Sequence, residues 1–268
     1  MRTLVHLSDL HFGRINPAIL APLLTFVRKT EPDLVAVSGD LTQRARTVEY
    51  LAAREFLRAM PFPQIVVPGN HDVPLYNLFA RFARRLDHYR LYITRDLQPV
   101  FADDEIAVVG VNTARAFTWK NGRINRWQLA RMRQAFQTVG RGRVKIVVTH
   151  HPFDLPAGAK GDVLGRSRLA IKTIAECRVD LLLAGHFHIA DTGHTAKRYH
   201  IPGYSALIVS SGTSTSTRIR GEPNSLNVIR VDRPHITIER HSWQAATNLF
   251  ELISTEHFLQ TTEGWIQV

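Results

Sequence analysis

The chain has 268 residues, with 34 Lys plus Arg against 23 Asp plus Glu, a formal charge of +11, and a hydrophobic fraction of 44%. These figures fit a soluble globular protein of one large or two small domains and exclude a globally disordered chain. A single cysteine, Cys177, excludes a disulfide framework within the chain, and no apolar run approaches the roughly 18 residues that span a bilayer. The first nine residues contain no apolar signal segment, so a cytoplasmic location is expected. The basic residues, 28 Arg and 6 Lys, are scattered without a tail or a run of five. The charge suits nucleic acid, anionic lipid or a phosphorylated small molecule, and does not choose among them.

In chain order, short apolar runs each end in a polar cluster. Residues 3–8 lead to Asp9-Leu10-His11, 33–38 to Gly39-Asp40, and 64–67 to Pro68-Gly69-Asn70-His71-Asp72. Further on, 144–149 lead to His150-His151-Pro152, and 180–184 to Gly185-His186-Phe187-His188. Runs of this kind are expected to be strands buried on both faces. Between them, residues 18–29, 48–60, 124–139 and 164–177 carry apolar positions at three- and four-residue steps, the helical period. Alternating strand and helix predicts an α/β fold with crossover connections, in which ligands sit at the C-terminal strand ends. After residue 190, segments 205–210, 226–231 and 236–240 are expected to be strands without intervening helices. With no linker or internal repeat, residues 1–245 are expected to be one domain. Residues 246–268 are then an apolar extension docking on it or on a second subunit.

The chemistry-bearing set is Asp9, His11, Asp40, Asn70, His71, His150, His186 and His188, all at predicted strand exits. Taken singly, each cluster is also an ordinary turn: Gly39-Asp40 and Gly69-Asn70 are common loop residues. Together they converge on one end of one inferred sheet system. In extended chain, residues two apart point to one side, so Asp9 with His11 and His186 with His188 are each expected to address one centre. Carboxylate, imidazole and amide oxygen without thiolate suit Mn, Fe, Zn or Co ions. The candidate ligands are too many for one ion and fit two ions sharing a carboxylate, an arrangement that clamps a phosphoryl displacement.

The ordered series Asp9-x-His11, Gly39-Asp40, Gly69-Asn70-His71-Asp72, His150 and Gly185-His186-x-His188 resembles the calcineurin-like metallophosphoesterase family. The resemblance runs from residue 1 to about 190. It implies a four-layer αββα sandwich of two mixed β-sheets. It also implies that Asp9, His11 and His188 bind one divalent ion, that Asn70, His150 and His186 bind the other, and that Asp40 bridges. Two such ions would activate a water for in-line attack at phosphorus, with His71 stabilising or protonating the leaving oxygen and Asp72 fixing its tautomer. His151 is then expected beside the ligands or facing substrate.

Ser8-Asp9-Leu10-His11-Phe12 and Val67-Pro68-Gly69-Asn70-His71-Asp72 are most similar to the bacterial class III cyclic-nucleotide phosphodiesterases. A cyclic nucleotide such as 3',5'-cAMP is thus the first expectation for the anionic phosphoester substrate. The alternatives are a glycerophosphodiester, a membrane-lipid phosphoester or pyrophosphate, and DNA. His71 argues against the lipid pyrophosphate, and the absence of a basic stripe argues against nucleic acid. Two loops offer substrate contacts: residues 112–125 with Arg115, Phe117, Trp119 and Arg123, and residues 210–224 with Arg218 and Arg220. Residues 75–95 are expected to include a lid helix. Leu75, Leu78, Phe79, Phe82, Leu86 and Tyr89 would be its apolar stripe, with Arg81, Arg84 and Arg85 on the remaining surface. Such a basic amphipathic helix also suits peripheral contact with anionic membrane. Monomer and homodimer are both compatible with the sequence.

Overall fold

The computed structural model describes residues 1–75, 78–116, 121–140, 142–219 and 221–268, without the side chains of 78–80. The first apolar runs become β1 (Arg2–Leu7), β2 (Leu34–Ser38) and β3 (Gln64–Val67), which pair in parallel. On the far side of β1 the sheet continues antiparallel through β10 (Ser225–Asp232), β11 (His235–Gln244), β12 (Leu249–Thr261) and β13 (Gly264–Gln267). A second sheet has the order β4 (Val100–Ala102), β5 (Ile106–Gly110), β6 (Val144–Val148), β7 (Leu181–Ala184), β9 (Leu207–Ser210) and β8 (Asp191–His194). Strands β5, β6, β7 and β9 run parallel, with β4 and β8 antiparallel at the edges.

The helices between these strands are stopped and started by their own sequence. In α1 (Pro17–Thr30), Asn16 accepts the Ala18 N–H and Pro17 opens the first turn, where its missing N–H costs nothing. In α5 (Arg126–Thr138), Asn125 and Gln128 form a reciprocal capping box. Helix α1 and α2 (Thr47–Arg58) bury Ile19, Leu23, Tyr50 and Phe56 against the outer face of the first sheet. Helices α5 and α6 (Ser167–Glu176) bury Met132, Phe136, Ile171 and Ile174 against the outer face of the second. Between the sheets, Leu4, Leu34, Ile65 and Val67 meet Val108, Ile146, Leu183 and Val209. The architecture is a four-layer αββα sandwich.

Two expectations are corrected. Residues 75–95 do not form one helix: the chain makes α3 (Leu78–Ala83) and α4 (Asp87–Tyr92), with a turn between them. Leu86 and Tyr89 are buried as expected, but Arg81 is buried and Phe82 is exposed, the reverse of what the stripe assigned these two, and the side chains of Leu78 and Phe79 lie outside the described residues. The continuous basic amphipathic face that a membrane contact would need is therefore interrupted. Among the described residues, no helix is long and apolar enough to cross a membrane. Residues 246–268 are not a separate docking segment but enter the first sheet as β12 and β13, with Phe258 and Trp265 in the inter-sheet core.

Candidate metal centre

The sheets bring the C-terminal ends of β1, β2, β3, β6 and β7 to one pole, and the chain turns sharply there. Asp9, His11, Asp40, His186 and His188 all have left-handed backbone, with φ of 52°, 50°, 52°, 77° and 58°. Each costs a non-glycine residue about 1–2 kcal/mol, so five at one pole mark a site that the surrounding fold holds against local preference. Asp9 and His11 share one donor group, but His188 joins that group while His186 joins His150, so the second pair divides between two groups where its spacing had suggested a single centre. Two glycines make room: a Cβ at Gly69 would collide with the Asp40 carboxylate, and one at Gly185 with Ser8 and Asp9.

The donor atoms face inward. Asp9 Oδ1 lies 3.1 Å from His188 Nε2 and 3.6 Å from His11 Nε2. Asp40 Oδ2 lies 3.6 Å from His11 Nε2 and 3.4 Å from His150 Nε2, which places it between the two groups. On the second side, His150 Nε2 is 3.1 Å from Asn70 Oδ1 and 3.3 Å from His186 Nδ1. The structure thus brings together all seven expected ligands.

A cation fits this set. Asp9 Oδ1 is buried without a hydrogen-bond donor, a costly state for a carboxylate oxygen unless an ion meets it. Groups of donors within 4.8 Å form around Asp9, His11 and His188 and around Asp9, Asp40 and His150. Neighbouring ligands about 3 Å apart are expected where bonds to a common ion are about 2.1 Å.

Charge on the buried carboxylates is balanced here by neighbouring imidazoles, a role a divalent cation would take over on displacing their protons. Burial opposes charge on Asp9 and Asp40, yet His188 beside Asp9 and His150 beside Asp40 hold both carboxyls well below the usual range. Burial likewise opposes charge on His150, but Asp40 outweighs it and raises the imidazole to about 9. Burial and the neighbouring His150 lower His186 to about 3, leaving it neutral as a ligand must be.

Behind the ligands, a second layer fixes their aim. Ser8 Oγ donates to Asp9 Oδ2 at 2.6 Å, and the His186 N–H donates to the same oxygen at 2.9 Å. His150 Nδ1 donates to the Ser38 carbonyl at 2.7 Å, and His188 Nδ1 to the Arg218 carbonyl at 2.7 Å. Histidine ligands are oriented in this way by their second nitrogen. Residues 213–216, within the 210–224 loop expected to contact substrate, clasp the Asp9–His11 turn instead. Thr213 Oγ1 donates to the Asp9 carbonyl at 2.7 Å and Thr215 Oγ1 to the Leu10 carbonyl at 2.5 Å.

His71 stands over this pole with its ring edge-on to His11, centroids 4.9 Å apart. Its Nδ1 meets the Gln43 carbonyl at 2.8 Å and its Nε2 meets Arg218 Nη1 at 2.9 Å, so both ring nitrogens are engaged outside the ligand set. Asp72 does not set the His71 tautomer. It is buried and accepts from the main-chain N–H groups of Leu41, Thr42 and Gly69 and from Thr42 Oγ1, tying the turns after β2 and β3 together. Burial, then the nearby Asp40, raises its carboxyl to about 6 against those donors.

Of the substrate candidates, His151 packs against His186 at 4.7 Å between centroids, with Nδ1 2.8 Å from Thr113 Oγ1. Arg115 spends its described N–H bonds on the carbonyls of Asn112 and Ala114 and on the Gln128 side chain. Burial and then Arg85, Arg123 and Arg166 lower its guanidinium to about 10. Arg220, Phe117 and Trp119 lie outside the described residues.

The sandwich carries at one pole a buried carboxylate–imidazole–amide cluster that could hold metal ions. The chain belongs to the calcineurin-like phosphoesterase family, whose model matches residues 2–190. Two curated relatives are similar in sequence. The "Glycerophosphodiester phosphodiesterase GpdQ" of Enterobacter lignolyticus is 36% identical over 81 residues, 26% of this chain and 29% of the relative. The "Probable glycerophosphodiester phosphodiesterase GpdQ" of Arcobacter nitrofigilis is 25% identical over 168 residues, 61% of this chain and 59% of the relative. The chain thus spans less than two thirds of each relative it matches. The fold is shared with the purple acid phosphatase PPD1 of yellow lupin, with TM-score 0.72 at 12% identity over 96% of this chain and 53% of that one. It is also shared with GAP50, the anchor in the inner membrane complex of Plasmodium, with TM-score 0.61 at 15% identity over 95% and 87%.

Proposed function

We propose that this chain hydrolyses a phosphodiester of the glycerophosphodiester type at a dinuclear centre. Asp9, His11 and His188 would hold one divalent ion, Asn70, His150 and His186 the other, and Asp40 both. The observation that carries the reading is Asp40 Oδ2, placed between His11 Nε2 and His150 Nε2, beside the unsatisfied Asp9 Oδ1. The names of the two sequence relatives support a glycerophosphodiester substrate and lend nothing to a cyclic nucleotide.

When bound, two divalent ions would supply an activated water and polarise the phosphoryl oxygens. The residues of the chain supply the rest. The buried carboxylates orient the imidazoles, and the Thr213 and Thr215 hydroxyls hold the Asp9–His11 turn still. His71 is fixed through Nδ1–H to the Gln43 carbonyl; Nε2, which here accepts from Arg218 Nη1, would pass a proton to the departing alkoxide only after being protonated itself, with the guanidinium turned away from it. A diester suits such a group because its leaving alkoxide is a poor leaving group without a proton. His151 would confine the ester from the side of the second ion.

The test is a metal-reconstituted panel of a glycerophosphodiester, bis(p-nitrophenyl) phosphate, p-nitrophenyl phosphate, 3',5'-cAMP and single-stranded DNA. Turnover of the glycerophosphodiester above the others is expected. Monoester hydrolysis without diester hydrolysis would overturn the reading, and cAMP turned over above the glycerophosphodiester would replace its substrate.

A further inference from the structure

One residue joins the two halves of the chemistry. The carbonyl of Arg218 accepts from His188 Nδ1 at 2.7 Å, while its guanidinium Nη1 donates to His71 Nε2 at 2.9 Å. A candidate metal ligand and the candidate proton donor are therefore addressed by the main chain and the side chain of the same residue. Resting on the phosphoester reading above, we propose that Arg218 is a substrate-binding residue whose guanidinium takes a phosphoryl oxygen of the bound ester.

The main chain at this position is pinned. The Arg218 N–H donates to Ser216 Oγ at 3.0 Å, and Ser216 Oγ donates to the Arg14 carbonyl at 3.2 Å. The neighbouring Thr217 N–H donates to Arg14 as well, at 3.0 Å, and Asn224 Nδ2 donates to the Ser216 carbonyl at 2.9 Å. These bonds fix the root of the side chain relative to the Asp9–His11 turn. The half-buried guanidinium at its end lies where His71 stands over His11.

One acceptor it meets there is an imidazole nitrogen. A charged phosphoryl oxygen is a stronger acceptor for a guanidinium, and the planar fork of N–H donors matches two oxygens of one phosphoryl group. A phosphoester approaching His11 and His188 meets this fork on the same side as His71 Nε2. Binding there would set the leaving oxygen beside the imidazole, so one contact serves both affinity and alignment. The same fork would hold a phosphomonoester or inorganic phosphate.

The experiment uses the metal-loaded protein, with inorganic phosphate as the calorimetric probe and bis(p-nitrophenyl) phosphate for kinetics. R218M is expected to weaken phosphate binding by about 10- to 100-fold and to raise KM, the effect of losing one hydrogen bond to a charged group. Metal content should hold, because the carbonyl that orients His188 is main chain. R218K is expected to recover part of the affinity through charge without the fork. The discriminating measurement repeats phosphate binding in an H71N background, where R218M should weaken it again by a similar factor. Unchanged phosphate affinity in R218M overturns the proposal, as does a loss that disappears in the H71N background, since Arg218 would then act only through His71. Should R218M fail to fold, unchanged affinity in R218K overturns it equally. Phosphate affinity lost in R218M, in a wild-type protein that hydrolyses no ester, would sink the hydrolase reading and leave this assignment standing.

Discussion

The Nδ1 atom of His71 lies 2.8 Å from the main-chain carbonyl of Gln43, and Asp72, its neighbour in sequence, points away into a nest of main-chain N–H groups. A carbonyl can only accept, so Nδ1 carries the hydrogen, and Nε2, which accepts from Arg218 Nη1 here, is the nitrogen that could take up and deliver a proton. H71A should lower kcat by about 10²–10⁴-fold, the contribution of a positioned acid. Metal content by elemental analysis should stay near that of the wild type, because both ring nitrogens have partners outside the seven ligands, even though one lies within 4.8 Å of donor atoms of His11 and Asp40. Loss of metal would make His71 a ligand.

Asp72 acts on structure. In D72N one carboxylate oxygen becomes an N–H₂ group facing donors from Leu41, Thr42 or Gly69. At least one buried N–H would lose its acceptor, a cost of about 1–3 kcal/mol. A lowered urea midpoint is expected, and unchanged stability would contradict the role given to this carboxylate.

The clasp over the Asp9–His11 turn is tested at Thr215. T215V keeps the shape and removes the hydroxyl that donates to the Leu10 carbonyl. Supporting contacts of this kind are worth about 10- to 100-fold in metal affinity. Competition with a fluorescent chelator should show that loss with little change in circular dichroism. Wild-type metal affinity would mean the turn holds itself.

A pH effect is expected far from the metal centre. Asp180, at the start of β7, accepts from the Lys145 N–H at 2.8 Å, Trp265 Nε1 at 3.0 Å and Gln260 Nε2 at 3.1 Å, and so joins the two sheets. Burial raises its carboxyl above the usual 3.8 despite these donors. A folded pKa above the unfolded one gives stability that is fully present below the unfolded pKa and is lost as pH rises through the folded value. With metal chelated, the stability of wild type relative to D180N should therefore fall as pH rises above the ordinary carboxylate range. A flat or rising difference would contradict the burial of this group.

Much of the site could be read from the sequence because strand ends are local: an apolar β-branched run followed by Asp, Asn or His is visible without the fold. Asp9, Asp40, Asn70, His150, His186 and His188 were placed by that pattern. The contacts that aim them could not be read. Thr213 and Thr215 reach Asp9 and Leu10 across 204 and 205 residues of chain, and hydroxyl-to-carbonyl bonds leave no periodicity. Gln43 acts through its main-chain carbonyl, so its identity carries no signal. The helix expected across residues 75–95 failed for a different reason. Apolar spacing continues through the turn between Ala83 and Asp87, but the buried Arg81, donating to the Ala116 carbonyl at 2.8 Å, sets the packing there. The tail at 246–268 was legible as apolar and not as strand, since β12 is held by pairing with β11 on one side and β13 on the other.

The central claim is that Asp40 joins two divalent ions in a phosphodiester hydrolase. The most direct measurement is glycerophosphodiester hydrolysis by chelator-stripped protein as divalent metal is added in known equivalents, for wild type and D40N. Wild-type activity should rise to a plateau at about two equivalents per chain, the number a two-metal site requires, and D40N should stay inactive throughout. Full wild-type activity at one equivalent, or a D40N protein that hydrolyses the diester as fast as wild type, would contradict it.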